Sequence, residues 1–99
     1  MNERVTLTPA ASNDLDKIWS YSFETWGAKQ ATVYIRDIQT VLERLVHRTG
    51  ISQTVNVREG YEKARAGSHM IYFRRPNTDS ILVVRILHQR MDVDRHLLS

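Results

Sequence analysis

Apolar residues in the first half of the chain recur at spacings of three, four and seven, which is the period of an α-helix. A first helix is predicted to begin at Thr8-Pro9, since threonine caps helices and proline fits the first helical position, and to end at Gly27. A second apolar stripe runs from Ala31 to Val46. Because the link between them is short, the two helices are predicted to form an antiparallel hairpin.

The second half carries shorter apolar runs, which are typical of strands. Met70–Phe73 and Ile81–Leu87 are separated by Pro76–Asp79, and the turn-forming residues of that link predict a β-hairpin. Ile81–Leu87 is apolar at nearly every position, which predicts a central strand or one covered on both faces.

Two further strands are predicted, at Val5–Leu7 and at Tyr61–Arg65, whereas residues 51–56 are interpreted as a loop. The resulting order is β-α-α-β-β-β. Helices grouped before strands favour an α+β fold, with the helical hairpin packed on one face of a small, mainly antiparallel sheet. We expect a single domain over residues 1–99 that ends in a short C-terminal tail at 92–99.

Composition indicates an ordinary globular chain, since 41% of the residues are hydrophobic and 25% are charged. The absence of cysteine excludes disulfides and thiolate chemistry. No apolar run approaches the roughly 20 residues of a membrane span, and the N-terminus lacks the apolar core of a signal peptide, so we expect a cytoplasmic protein. The four histidines lack metal-ligand spacing and the glycines form no phosphate loop, so neither a metal nor another cofactor is expected.

Positive charge is concentrated in the second half, which carries the whole net charge of +3. Such a basic region can attract nucleic acid, an acidic protein or a nucleic-acid-bound enzyme, and charge alone does not choose among them. Lys63 and Arg65 share a strand face, and Arg85, charged within an apolar strand, must be either paired or aimed at a ligand. The candidate target-binding residues are Arg58, Lys63, Arg65, Arg74, Arg85, His88 and Arg90.

Three roles for these charges remain open at this point. They can bind a protein; they can be structural, neutralised by Glu59, Glu62 and Asp92; or Arg65, Arg85 and His88 can act as the phosphate clamp and acid/base groups of a metal-free ribonuclease.

The aromatic residues of the helices are interpreted first as packing residues. Trp19, Trp26 and Tyr34 stand at helical spacing, where aromatic side chains usually bury area.

Several sequence blocks, taken together and in this order, closely resemble the ParE toxins of type II toxin-antitoxin modules, in the RelE/ParE superfamily. The blocks are Leu7–Ala11, Trp26-Gly27 with Gln30-Ala31, Arg58–Tyr61, Gly67–Tyr72 and Val84–Asp92. The resemblance implies a RelE-like fold, a ParD-type antitoxin that forms a hetero-oligomer with the chain, and inhibition of DNA gyrase and hence of replication, in a plasmid- or chromosome-stabilising module. It implies a protein-binding inhibitor rather than an enzyme, with neither membrane association nor direct sequence-specific binding of nucleic acid.

The related RelE-type toxins, which cut mRNA on the ribosome, supply the alternative. Their site uses basic residues with a late tyrosine or histidine, and this chain has no tyrosine after Tyr72. Arg65, Arg85 and His88 keep the ribonuclease alternative open.

An antitoxin segment that folds on binding is expected to lay an apolar helix along the helical hairpin and acidic residues over the basic sheet. Trp19, Phe23 or Trp26 would then be partly exposed in the isolated chain. The antitoxin-binding candidates are Leu15, Trp19, Phe23, Trp26, Arg74 and Arg85.

Overall fold

The computed structural model describes residues 4–47, 52–55 and 59–91. The helices are α1 (Pro9–Trp26) and α2 (Ala28–Val46), and the strands are β1 (Val5–Leu7), β2 (Gln53–Thr54), β3 (Glu62–Ala66), β4 (His69–Asn77) and β5 (Ser80–His88). The predicted α+β architecture and element order are confirmed, with one addition. The segment interpreted as a loop contains β2, a two-residue strand that pairs antiparallel with β3.

Both ends of α1 lie where the sequence predicts them. The Thr8 side chain accepts a hydrogen bond from the Ala11 N–H at 3.1 Å, which caps α1, and its hydroxyl donates to the Val84 carbonyl at 2.8 Å. Gly27 ends α1 at φ 91°, a conformation that other residues rarely adopt. The same threonine therefore caps the helix and ties it to β5.

Within the described residues the strands form one sheet in the order β1-β5-β4-β3-β2. β1 runs parallel to β5, and the other pairs are antiparallel. The predicted β4–β5 hairpin is confirmed, but its turn is tighter than predicted, because Pro76 and Asn77 belong to β4. The pairing is irregular between Arg74 and Asn77, and proline, which lacks an N–H, is tolerated in such a place.

A β-bulge in β5 explains its nearly continuous apolar run. Tyr72 lies opposite Arg85 and Phe73 opposite Val83, so Val84 is an extra residue on that strand. After the bulge the alternation of faces shifts by one position, and apolar side chains fall on both faces of β5. Because β5 lies between β1 and β4, the prediction of a strand inside the sheet is confirmed, whereas the helices cover only one of its faces.

The sheet separates a main core from a smaller apolar cluster. The main core lies between the sheet and the helices and contains Ile18, Ile38, Leu42, Leu45, Ile71, Phe73, Ile81, Val83 and Ile86 among others. On the opposite face, Val55, Tyr61, Tyr72 and Leu87 form the second cluster, which we call the outer cluster. No helix in the described part of the chain is long and apolar enough to cross a membrane.

Candidate functional site

Three aromatic side chains form an exposed row on α1, which we call the aromatic row: Trp19, Phe23 and Trp26. They are 38%, 49% and 59% exposed, and the rings of Trp19 and Phe23 lie 6.2 Å apart. The interpretation of Trp19 and Trp26 as packing residues is therefore wrong, whereas the expected exposure of this row is confirmed. Tyr34, interpreted in the same way, is partly buried against the main core.

The reason is that α1 packs with a different face. Ala11, Asp14, Ile18 and Ser22 are its buried residues, and they recur at spacings of three and four. Leu15, another antitoxin-binding candidate, is partly buried against the main core. The aromatic row stands outside this packed face, and a group of exposed aromatic side chains is typical of a binding site.

The second candidate surface is the face of the sheet opposite the helices, the outer sheet face. Ala64 and Ala66 of β3 belong to the main core, so the alternation of a strand places Lys63 and Arg65 on the outer sheet face. Arg74 lies on the same face, with its guanidinium carbon 5.6 Å from the centroid of the Tyr61 ring. Three basic residues predicted to bind a partner thus share one surface.

Beneath these cations, the Tyr72 side chain is buried in the outer cluster, opposite Lys63 and Arg85. Burial raises the pKa of its hydroxyl. The basic side chains therefore lie over a buried apolar cluster.

Arg85 is paired rather than free. Its Nε and Nη2 donate to the two carboxylate oxygens of Asp14 at 2.7 and 2.9 Å, and the Ile86 N–H donates to Asp14 Oδ2 at 3.0 Å. The hydrogen bond to Asp14 raises the pKa of the guanidinium and outweighs the opposing effect of burial. Of the two alternatives open for Arg85, pairing is the one observed, and any contact with target or antitoxin stays a prediction.

The three ribonuclease candidates do not share one face. His88 lies opposite His69 in the β4–β5 pair, and the centroids of the two rings are 5.5 Å apart. Arg65 lies opposite Met70, the neighbour of His69, and therefore on the other face. Its guanidinium bonds the Gly67 carbonyl at 3.1 Å and the Gln89 side chain at 2.7 Å.

The remaining candidates lie at the margins of the structure. Arg90 follows β5 and is exposed, whereas Arg58 and the tail at 92–99 lie outside the described residues. Among the residues that are described, no three His, Asp or Glu side chains form a group that could hold a metal ion.

One further polar cluster was missed by the sequence analysis. Arg75 donates to Glu62 at 3.1 Å and to the Leu45 carbonyl at 2.9 Å, and Glu62 also accepts from the Ser52 hydroxyl at 2.8 Å. One alternative was that Glu62 neutralises one of the candidate target-binding residues. It instead neutralises Arg75, which lies on the helix side of the sheet. One signal of this cluster is present in the sequence. Because neighbouring residues of a strand point to opposite faces, Arg74 and Arg75 cannot both lie on the outer sheet face.

Comparison with known proteins agrees with this architecture over nearly the whole chain. The family model of the ParE toxin of type II toxin-antitoxin systems matches residues 5–93. The chain is 42% identical over 98 residues to Toxin ParE1 of Mycobacterium tuberculosis, covering 98% of this chain and 100% of that protein. It is 37% identical over 92 residues to Toxin ParE1 of Caulobacter vibrioides, covering 92% and 94%.

Solved structures share the fold. A chain of the chromosomal ParDE system from P. aeruginosa superposes with a TM-score of 0.71 at 22% identity, covering 85% of this chain and 92% of that one. The RelBE2 toxin-antitoxin complex of Mycobacterium tuberculosis gives a TM-score of 0.54 at 19% identity, covering 86% and 95%. These likenesses concern the fold, whereas the family follows from the sequence matches. The chain belongs to the ParE toxin family of type II toxin-antitoxin systems.

Proposed function

We propose that this toxin inhibits DNA gyrase by binding it, and that a ParD-type antitoxin neutralises the toxin. Membership of a toxin-antitoxin family implies an antitoxin partner. The choice of gyrase follows the resemblance to ParE toxins. The observation that carries a binding mechanism is the outer sheet face, where basic side chains surround a buried apolar cluster.

This surface suits an acidic protein partner. Interfaces combine buried aromatic anchors with charges that are complementary to those of the partner, and arginine and tyrosine are enriched there. Arg74 over Tyr61, with Lys63 and Arg65 on the neighbouring strand, supplies both components. The segment that follows β5 extends the basic surface through Arg90.

The geometry favours binding over RNA cleavage. A phosphate clamp needs cations with free donors that converge with the acid or base on one substrate. Arg85 gives its Nε and Nη2 donors to Asp14, and Arg65 and His88 lie on opposite faces of the sheet. These contacts support the proposal that the toxin is not a nuclease.

Controlled expression of the toxin tests the target. We expect DNA synthesis to stop before protein synthesis when both are followed by pulse labelling. With purified gyrase, the double variant Lys63→Glu with Arg74→Glu is expected to inhibit supercoiling at least about tenfold less well, because like charges then face the acidic partner. The control double variant Lys29→Glu with Arg36→Glu changes the charge equally on α2 and should inhibit normally.

Two outcomes would contradict the proposal. An early halt in translation would move the assignment to mRNA cleavage. Expression without any effect on growth would leave a binding protein that is not toxic.

The aromatic row supports an amphipathic antitoxin helix as its occupant. A partner helix that buries the three rings would remove a large apolar area from water, while its acidic residues met the basic sheet. Binding is therefore expected to weaken with salt, and it should stabilise the toxin by mass action.

Substituting Phe23 by Ser should weaken antitoxin binding about 30-fold, since aromatic anchors at an interface are each worth roughly 2 kcal/mol. Met91 is the matched control: it is 49% exposed, as Phe23 is, but lies outside both helices, and Met91→Ser should leave the Kd almost unchanged. Titration calorimetry with purified antitoxin measures both. Equal weakening by the two substitutions would show that the antitoxin does not dock on the aromatic row.

A further inference from the structure

Two sequence blocks that are far apart in the chain meet at one end of the sheet. Ser68 of the β3–β4 turn accepts a hydrogen bond at 3.0 Å from the backbone N–H of Gln89, just after β5. The Gln89 side chain also accepts from Arg65 at 2.7 Å. Next to these contacts, His69 and His88 face each other across the strands. The segment that leaves β5 is thus fastened to the turn.

A single hydroxyl fastens this turn to α2. The Tyr34 oxygen accepts the Ser68 N–H at 2.9 Å, lies 2.7 Å from His69 Nδ1, and is 3.4 Å from the Ala66 carbonyl. Its ring packs so closely on Gly67 that a Cβ there would lie 2.7 Å from it. We assign the hydroxyl hydrogen to the contact with His69 Nδ1, because it is much shorter than the contact with the Ala66 carbonyl.

In this assignment His69 Nδ1 accepts from Tyr34, which requires a neutral imidazole, because a protonated one has two donors and no acceptor. The neighbouring His88 Nδ1 accepts the backbone N–H of Arg90 at 3.2 Å. Burial lowers the pKa of His69 most, and the nearby His88 lowers it further. Asp14 raises this pKa by a smaller amount.

The charged and titratable groups around the two rings come from several elements. Besides Tyr34 on α2, they are Asp14, Lys17 and Tyr21 on α1, Arg85 on β5 through its bond to Asp14, and Arg90 after β5. Asp14, which is bound to Arg85, favours a cation at His69, but its effect on the pKa of His69 is smaller than those of burial and of His88.

We propose that Tyr34 and His69 form a proton-sensitive clamp that positions Arg65 and residues 89–91 for binding. Protonation of His69 turns the acceptor for Tyr34 into a donor and places a cation beside His88. The Tyr34 oxygen then has to accept from both Ser68 and His69, and its hydrogen is left with the Ala66 carbonyl at 3.4 Å, so its hold on the turn weakens. The functional meaning of the positioned residues rests on the proposed target surface, but the clamp can be tested without any target.

The direction of the pH effect follows from the lowered pKa. Below 6.5 the unfolded chain binds a proton at His69 more readily than the folded chain does. The stability from the clamp is therefore fully present above pH 6.5, and it is lost as the pH falls through the lowered pKa of His69.

Amide hydrogen exchange followed by NMR tests this on the complete chain. The protection factor of the Gln89 N–H in the unmodified protein should fall about tenfold between pH 7.5 and pH 5. The Thr8 N–H, which bonds the Val83 carbonyl at 3.0 Å away from the clamp, is the internal reference and should keep its protection.

Two variants separate the clamp from general stability. Tyr34→Phe removes only the hydroxyl and should give low protection of the Gln89 N–H at both pH values. His69→Gln keeps an acceptor for Tyr34 but cannot titrate, so protection should stay high at pH 5. The proposed clamp is contradicted if the protection of the Gln89 N–H does not depend on pH, or if the Thr8 N–H loses protection equally. It is also contradicted if the pH dependence at Gln89 persists in His69→Gln. If the clamp behaves as expected but the toxin does not inhibit gyrase, the proposed function is contradicted and the clamp is not.

Discussion

Substituting Asp14 by Ala is expected to lower the free energy of unfolding by about 3 kcal/mol, because it leaves the Arg85 guanidinium without its partner. The side chains of Asp14 and Arg85 are only 9% and 22% exposed, so water replaces the lost carboxylate poorly. The substitution also removes the acceptor of the Ile86 N–H. For a chain of this length such a loss lowers the Tm by about 15 °C.

Urea denaturation of a matched set measures this effect. Asp16→Ala removes an exposed carboxylate from the same helix and should hardly change the stability. The double variant Asp14→Leu with Arg85→Met removes both charges and should be more stable than Asp14→Ala, since no unpaired charge is left. If Asp14→Ala unfolds like the unmodified protein, the ion pair does not stabilise the fold. Loss of toxicity in Arg85 variants must therefore be compared with their stability before it is assigned to a contact.

Substituting Gly67 by Ala is expected to cost about 3 kcal/mol, of which roughly 1 kcal/mol is the left-handed backbone. Gly67 has φ +60°, and the added Cβ would lie 2.7 Å from both Cε1 and the hydroxyl oxygen of Tyr34. That ring cannot move away without breaking its bonds to Ser68 and His69. The remaining roughly 2 kcal/mol is the cost of this overpacking.

Gly60 is the matched control. It has φ +83° but nothing within 4 Å of an added Cβ, so Gly60→Ala should cost only about 1 kcal/mol for the backbone. Adding Tyr34→Ala to Gly67→Ala removes the obstacle, and the cost of Gly67→Ala in that background should fall to the Gly60 value. Equal losses at Gly67 and Gly60, measured by urea denaturation, would show that the contact with Tyr34 does not matter.

Local signals in the sequence predicted the elements well. Thr8-Pro9 and Gly27 mark the ends of α1 through the hydrogen bonds and backbone angles that the structure contains. β2 was missed because two residues are too few to show an alternating pattern, and its existence depends on β3. Pro76 was placed in the turn because its missing N–H normally excludes it from a paired strand, and the irregular pairing that accommodates it is not visible in the sequence.

The sequence was less informative about the surfaces. Helical periodicity groups apolar residues but does not say whether the chain itself or a partner covers them, so Trp19 and Trp26 were interpreted as packing residues. The partner of Arg85 lies 71 residues away, and no local pattern joins the two. The contact between Tyr34 and His69 is not visible in the sequence for the same reason, since it connects α2 with the sheet.

The parallel pair of β1 with β5 has a consequence for the synthesis of the toxin. Thr8 and Val84, which bond each other, are 76 residues apart, so the N-terminal strand and the start of α1 cannot complete their contacts before β5 has been synthesised. Contacts between such distant residues close large loops and slow folding. Until β5 has been synthesised and has left the ribosome, Asp14 lacks Arg85 as its partner. We therefore expect the nascent toxin to remain incompletely folded until β5 has emerged, which gives an antitoxin already present in the cell time to meet it before it is active.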